Sequence, residues 1–397
     1  MHLSSLKLRF FRNYRAVQLE IPPGVVVFLG ANGRGKTNLI EAFYYLLKGE
    51  SFRPVQGDSL RSDFLPPGAD THLEISIWKN QLRHDLSAII QSGRSRTLQW
   101  NGKRVGSTQL WKEFPVVLFS PESLSAIKGG PEERRQLIDE VVGSANSSHL
   151  KVLKEFKRAL LTRNRILRMM REDEVASKEG TLMLDSLEAS YLPLAAEVAW
   201  LRLEAIRSIE QEFQLSAHAL LERRAVDISV EYLISAQSAR TWTRSDLLSA
   251  MHQRSLELRV AEVDSGTSLV GPHKHDVRFL FAGKDSRFFC SQGQQRSLIL
   301  SFKMAQILYH YRAHQVYPFL LLDDVLSELD PARRSNLIEF LKGIPSQIFI
   351  TTTDLSFSMN FGDRRLHLYQ VEQGQVLKTE SPEALRGDTR AREPEGL

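Results

Sequence analysis

The segment Gly30-Ala31-Asn32-Gly33-Arg34-Gly35-Lys36-Thr37 constrains this chain more than any other. It satisfies G-x-x-x-x-G-K-[ST] at every fixed position, in the right surroundings. Val25–Leu29 before it is a short apolar, β-rich run that predicts a buried strand. Leu39, Ile40, Phe43, Leu46 and Leu47 after it fall at helical spacing. Glycines at 30, 33 and 35 let backbone wrap a phosphate without a Cβ in the way. The loop N–H groups and the following helix N-terminus then point at the anion. The expected ligand is ATP, held by Gly30 through Thr37 and Asn38. Lys36 is expected to reach the β- and γ-phosphates, and Thr37 to offer its hydroxyl to Mg²⁺.

Two acids supply the complementary chemistry. Phe319-Leu320-Leu321-Leu322-Asp323-Asp324 reads as a strand buried on both faces and tipped with carboxylates. Charge is tolerated there only at the strand end, where ligands bind in open α/β sheets. Asp323 is the expected Mg²⁺ ligand, directly or through water, and Asp324 the group that orients or deprotonates the attacking water. A third element, Ser291-Gln292-Gly293-Gln294-Gln295-Arg296, opens an amphipathic helix carrying Leu298, Phe302, Ala305 and Leu308. A serine and a glycine at a helix start offer a hydroxyl and bare N–H groups to an anion. They equally make a plain helix cap.

The order of these elements resembles the ABC ATPase superfamily, in which the Ser-Gly element is the signature motif. That resemblance implies Ser291, Gly293 and Gln294 on the γ-phosphate held by a second subunit, hence an ATP-dependent homodimer. It also places Ser327-Glu328-Leu329-Asp330 as the D-loop and Thr353 in the switch loop, where transporters carry histidine. A neutral hydroxyl cannot do histidine's proton chemistry, so slow turnover is expected, below about 1 per second.

Departures from transporters point one way. Phe11-Arg12-Asn13-Tyr14, Phe119-Ser120-Pro121-Glu122, Gly271-Pro272-His273-Lys274-His275-Asp276, the SQGQQRS run and Leu322 through Asp330 are together similar to the RecF family. The likeness covers residue 1 to about 375. It implies an α/β fold: an ABC-type P-loop ATPase head with a β-rich subdomain and an inserted helical hairpin arm. It also implies ATP-dependent dimerisation, DNA binding, action with RecR and RecO to bring recombinase to gapped or damaged DNA, and a slow ATPase. The family commonly has Arg-Asp-Asp after Gly-Pro-His, so His275 replaces a fixed negative charge and is assigned no role. No glutamine of the usual Q-loop type is evident; Glu122 stands nearest to it.

The coarse reading assigns residues 1–130 to the N-terminal part of the head, 131–255 to the helical arm, 256–380 to the C-terminal part of the head, and 381–397 to a disordered tail. Strands are expected near Val277–Phe281, Phe319–Leu322 and Gln347–Ile350, with an Asn101-Gly102 hairpin. The arm is read as two helices, about Leu150–Arg171 and Thr181–Leu221, either a projecting hairpin or part of a compact bundle. In the first, Lys151, Lys154, Arg158, Arg165 and Arg168 fall on one stripe. That stripe is either a track for DNA phosphates or a solvated face neutralised by the partner helix. Trp100, with Arg94, Arg96, Lys103 and Arg104 around it, is either a base-stacking platform or a core aromatic. The net charge of +5 permits nucleic-acid binding without demonstrating it, and a single cysteine, Cys290, excludes an internal disulfide. No apolar run reaches transmembrane length and no signal-peptide core is evident, so a cytoplasmic protein with no membrane partner is expected. The competing classes are a membrane-transporter ATPase, a nuclease bearing this head, and a small-molecule kinase.

Overall fold

The computed structural model describes residues 1–93, 96–145, 147–221, 226–353 and 361–379. Arg94 and the 381–397 tail, both named above, lie outside them. The chain forms two compact units: Met1–Pro121 with Gln315–Leu397, and Glu122–His314.

The first unit contains two sheets. Five parallel strands run in the order Leu366–Glu372, Val25–Leu29, Ile348–Thr352, Phe319–Asp323, Val116–Phe119, and Gln375–Thr379 adds an antiparallel edge. The central strands are apolar almost end to end because both faces are covered, and Val25 through Phe28, Leu320 through Leu322 and Ile348 through Ile350 are all buried. Parallel registry has a functional consequence. Leu29 pairs with Thr352 and Thr351 with Asp323, so the phosphate loop and the acid-tipped strand end emerge at one edge.

The second sheet is antiparallel, ordered Tyr14–Glu20, His2–Phe11, Thr71–Lys79, Leu82–Ile90, Thr97–Trp100, Lys103–Arg104. Its period of two is plain: Leu6 pairs with Leu19 and Ile75, Leu8 with Leu73, all buried, while Lys7 and Glu74 between them are exposed. Asn101 and Gly102 take φ of 48° and 74° in the turn, the both-positive geometry that favours this dipeptide. The Lys36–Lys48 helix packs against both sheets. Its Phe43 ring lies 4.6 Å from that of Phe349, and Leu39, Ile40 and Leu47 share a core with Leu73 and Ile75.

The second unit holds the helices Pro131–Ala145, Ser147–Arg171, Ser177–Leu221, Arg244–Ser265 and Gln292–His314. It also holds a four-stranded antiparallel sheet, Gln237–Ser238, Ile228–Ile234, Asp276–Phe281, Lys284–Asp285. Ser147–Arg171 and Ser177–Leu221 fold back on each other as the hairpin reading requires. Near their connection Gly180 is so close to Met170 that a Cβ would fall 2.4 Å from its Cγ; further along, the Phe156 and Tyr191 rings are 5.6 Å apart. The pair does not stand alone. The Arg244–Ser265 helix packs against both of them and runs through residue 255, where the sequence pattern suggests a return to α/β character. Its buried residues are only Leu247, Met251, Ser255 and Glu262, half of them polar, so apolar periodicity does not announce it. Its start is fixed by a Thr243–Asp246 capping box.

Candidate nucleotide site and candidate DNA-facing stripe

The loop after Val25–Leu29 has no room for a side chain at Gly30, where a Cβ would lie 2.4 Å from the Val371 carbonyl oxygen, or at Gly35. Gly35 has φ of 109°, and a Cβ there would lie 2.4 Å from Asn13 Nδ2 and 2.8 Å from the Tyr14 hydroxyl. Lys36 folds over the loop and donates from Nζ to the carbonyls of Gly30 at 2.7 Å and Ala31 at 2.9 Å. Burial lowers its pKa, opposed by the charges of Asp324 and Asp323. Ala31, Asn32 and Gly33 are exposed at the loop crest, so their N–H groups belong to the part of the loop open to an anion.

The loop is braced from beneath by residues that the motif alone does not reveal. Asn13 donates to the Arg34 carbonyl at 3.2 Å and accepts from Asn38 at 2.7 Å, while Tyr14 donates to the Gly35 carbonyl at 2.9 Å. Arg12 grips buried Glu41, Nε to Oε2 at 2.9 Å and Nη2 to Oε1 at 2.6 Å. Arg53 joins the same carboxylate and donates to Asn38 Oδ1 at 2.6 Å, and Ser51 donates to Glu41 at 2.6 Å. Burial pushes the Glu41 pKa up, but the bonds from Arg12, Arg53 and Ser51 and the charge of Arg53 outweigh it, leaving the pKa below the ordinary value. The Phe11-Arg12-Asn13-Tyr14 run is thus the mounting of the phosphate loop.

Asp323 is 3 % exposed and accepts on one oxygen, Oδ1, from Thr37 at 2.9 Å and from Thr351 at 2.8 Å. Thr351, which sequence reasoning passed over, also accepts from the Asp324 N–H at 2.9 Å, so it spans both acids. Asp324 takes a left-handed φ of 52°, uncommon for a residue with a Cβ, and its carboxylate accepts from Ser327 at 2.7 Å. The donor set fits Mg²⁺: Thr37 and Asp323 present adjacent hard oxygens, suiting a cation that fills its other positions with water and phosphate oxygens. Among the described residues no three or more His, Cys, Asp or Glu side chains gather into a metal cage. Asp330 N-caps Pro331–Lys342, accepting from the Arg333 N–H at 2.9 Å and pairing with its guanidinium. Thr353 is exposed just beyond the Ile348–Thr352 strand.

In the second unit, Ser291 and Gln294 cap the Gln292–His314 helix reciprocally. The Ser291 N–H donates to Gln294 Oε1 at 2.8 Å and the Gln294 N–H to Ser291 Oγ at 3.3 Å. Ser291 is exposed and Gly293 partly so. The helix start therefore satisfies itself while leaving its serine at the surface. Cys290 is partly buried; burial and the charge of Asp285 raise its thiol pKa, which argues against a reactive thiolate.

The Gly271–Asp276 run is a packing hub. Arg202 donates to the Pro272 carbonyl at 2.8 Å and chelates Asp139 at 2.7 and 2.9 Å. Arg134 chelates Asp276, and His275 shares a 2.9 Å bond with the Tyr232 hydroxyl. His273 bonds the Ser268 carbonyl at 3.0 Å, and burial takes its pKa down to about 4, so it is a neutral structural group rather than a phosphate ligand.

All five stripe residues, Lys151, Lys154, Arg158, Arg165 and Arg168, are exposed. Lys151 has Glu155 at 4.0 Å, but among the described residues no carboxylate pairs with the other four. The partner helices instead neutralise Arg163 on the opposite face, held by Glu262 at 2.8 and 2.9 Å. Trp100 is partly buried, donates to His84 Nδ1 at 3.1 Å and packs edge-on against Phe114 at 5.3 Å; it is a core-flanking aromatic, not a free platform. No helix among the described residues is long and apolar enough to cross a membrane.

Comparison with known proteins follows the same lines. Residues 2–376 match the model of the RecF/RecN/SMC N terminal domain. A DNA replication and repair protein RecF from Heliobacterium modesticaldum is 33% identical over 382 residues, 96% of this chain and all of that protein. One from Listeria monocytogenes is 34% identical over 386 residues with the same coverage. Among solved structures, the recombination mediator protein RecF of the RecFOR pathway, as RecF-ATPrS, superposes with TM-score 0.82 at 24% identity, over 96% of this chain and 98% of that one. A Smc head domain from Pyrococcus furiosus gives 0.54 at 18%, over 99% and 100%.

Proposed function

Because the chain belongs to the RecF family, within the wider group of RecF/RecN/SMC heads, we propose that it is an ATP-switched DNA-binding protein of recombinational repair. ATP binding joins two copies, and hydrolysis releases them. The observation that carries this reading is the chain of bonds from Thr37 through Asp323 to Thr351 and on to the Asp324 backbone, set beside the phosphate loop.

The residues divide the work as follows. Gly30 through Asn38 cradle the phosphates, and Lys36 exchanges its two loop carbonyls for phosphate oxygens. Thr37 and Asp323 would hold Mg²⁺, which when bound neutralises charge on the transferred phosphoryl group. Asp324 accepts a proton from the attacking water or orients it. Thr353 hydrogen-bonds the phosphate end without exchanging protons, so turnover is slow. Ser291, Gly293 and Gln294 of the second copy seal the nucleotide, with Asp330 near that junction. Lys151, Lys154, Arg158, Arg165 and Arg168 follow a DNA backbone without reading bases. By family, the DNA is gapped or damaged, RecR and RecO are partners, and recombinase loading is the outcome.

The test is binding to a gapped duplex across a salt series, with and without ATP. Affinity should rise with ATP and fall steeply with salt. ATP-independent binding would remove the switch, and absent binding would remove the DNA role.

A further inference from the structure

The turn that leads into Ser291 carries two of the most exposed large apolar side chains among the described residues. Phe288 is 76% exposed and Phe289 65%. Single exposed apolar residues need no explanation, but two adjacent aromatic rings form a patch that calls for a cover. The turn is held rigidly. Asp285 caps it by accepting from the Arg287 N–H at 3.0 Å. From the signature helix, buried Gln295 donates to the carbonyls of Ser286 at 2.7 Å and Arg287 at 3.3 Å. The backbone that carries both rings is therefore tied to the helix that Ser291 opens, and whatever approaches that serine meets them too.

Charge separates the possible covers. Arg287 lies over the Phe288 ring at 5.4 Å, but Asp285 at 2.7 Å and Asp276 at 3.1 Å already neutralise it. Lys284 lies over Phe289 at 5.2 Å. A patch this nearly balanced gives a phosphodiester backbone little to hold, unlike the unpaired cations of Lys154, Arg158, Arg165 and Arg168. Two aromatics beside an ion-paired arginine have the composition of a protein-interface core. Rigid presentation lowers the ordering cost of docking.

We propose that Phe288 and Phe289 are the apolar anchor on which a nucleotide-loaded second copy of this chain docks beside Ser291. This rests on the reading that the signature helix seals a partner's nucleotide, and the test separates the two. Cys290, the sole cysteine, lies between the anchor and the serine and reports on both. In the Asp324→Asn protein, maleimide labelling of Cys290 at pH 8 is followed with and without ATP, alongside sedimentation. The expected result is an ATP-dependent dimer in which labelling slows several-fold. Phe288→Ala with Phe289→Ala should weaken that dimer at least about 30-fold, the effect of losing a central hot spot, while a fluorescent ATP analogue still binds each monomer. An ATP-dependent dimer that forms equally well without the two rings overturns the anchor and leaves trans-sealing intact, whereas one in which Cys290 still labels at the monomer rate overturns both. Absence of any ATP-dependent dimer overturns both. Loss of DNA affinity in the double variant at unchanged dimerisation assigns the patch to nucleic acid and overturns the proposal.

Discussion

The two units use buried charge differently. In the first, buried ions serve the site: Glu41 mounts the phosphate loop through Arg12 and Arg53, and Asp323 ties Thr37 to Thr351. In the second, they serve the scaffold: Asp139–Arg202, Arg134–Asp276 and Arg163–Glu262 lock helices and sheet together, while Ser291 and the cationic stripe stay at the surface. The phosphate loop and its acids are thus bonded together in advance, while the second unit leaves Ser291 and the stripe exposed. Mutations should therefore separate by unit: binding and chemistry in one, association in the other.

The largest effect expected is on chemistry. Asp324→Asn should keep ATP binding and lower turnover by about 10²- to 10⁴-fold, the range of a lost general base; normal hydrolysis would reassign that role. Next come the charge hubs. Glu41→Ala leaves half-buried Arg12 and Arg53 without their carboxylate and Arg202→Met leaves half-buried Asp139 without its guanidinium, each costing about 1–3 kcal/mol. Hydrogen exchange should place the first loss in the Lys36–Lys48 helix with nucleotide affinity lost, and the second in the helical unit with affinity kept. Equal spread over both units would erase the contrast.

A pH series sharpens it. Burial, then the charges of Lys274 and Arg135, depress the His273 pKa to about 4, against the Ser268 hydrogen bond and the charge of Glu262, which raise it. Burial likewise lowers that of His275, with the charges of Arg202, His273 and Arg135 adding to it. Between pH about 6.5 and about 4 the unfolded chain takes up a proton that folded His273 refuses. Stability present above pH about 6.5 should drain as pH falls, by up to about 1.4 kcal/mol per pH unit for this group. Protection of the second unit should fall first; a flat profile over that window would contradict burial of a neutral imidazole. Smaller again, Lys154→Ala with Arg158→Ala and Arg165→Ala should flatten the salt slope of DNA binding by up to about three units and leave ATP binding unchanged. An unaltered slope would make the stripe an ordinary solvated face.

What could be read in the sequence follows the same division. The phosphate loop, the apolar strands and the stripe depend on local spacing, and local spacing survives in one dimension. Long-range ion pairs do not: Arg12 stands in a recognisable run but its partner Glu41 does not, and Arg202 with Asp139 and Arg163 with Glu262 are unremarkable charged residues until the fold joins them. Thr351 escapes the sequence pattern for another reason. It lies inside an apolar strand, and only the parallel pairing with Asp323 gives its hydroxyl a task. The Arg244–Ser265 helix has no apolar stripe to announce it, because its buried face carries Ser255 and Glu262 beside two apolar residues.

The central claim is that the nucleotide held by one copy is closed by Ser291 of another. Sedimentation equilibrium of the Asp324→Asn protein measures this directly, with Ser291→Arg in the same background as the comparison. The account predicts a monomer without nucleotide, a dimer with ATP, and a monomer again when the arginine blocks the helix start. A persistent monomer at saturating ATP, or a dimer indifferent to that arginine, would contradict it.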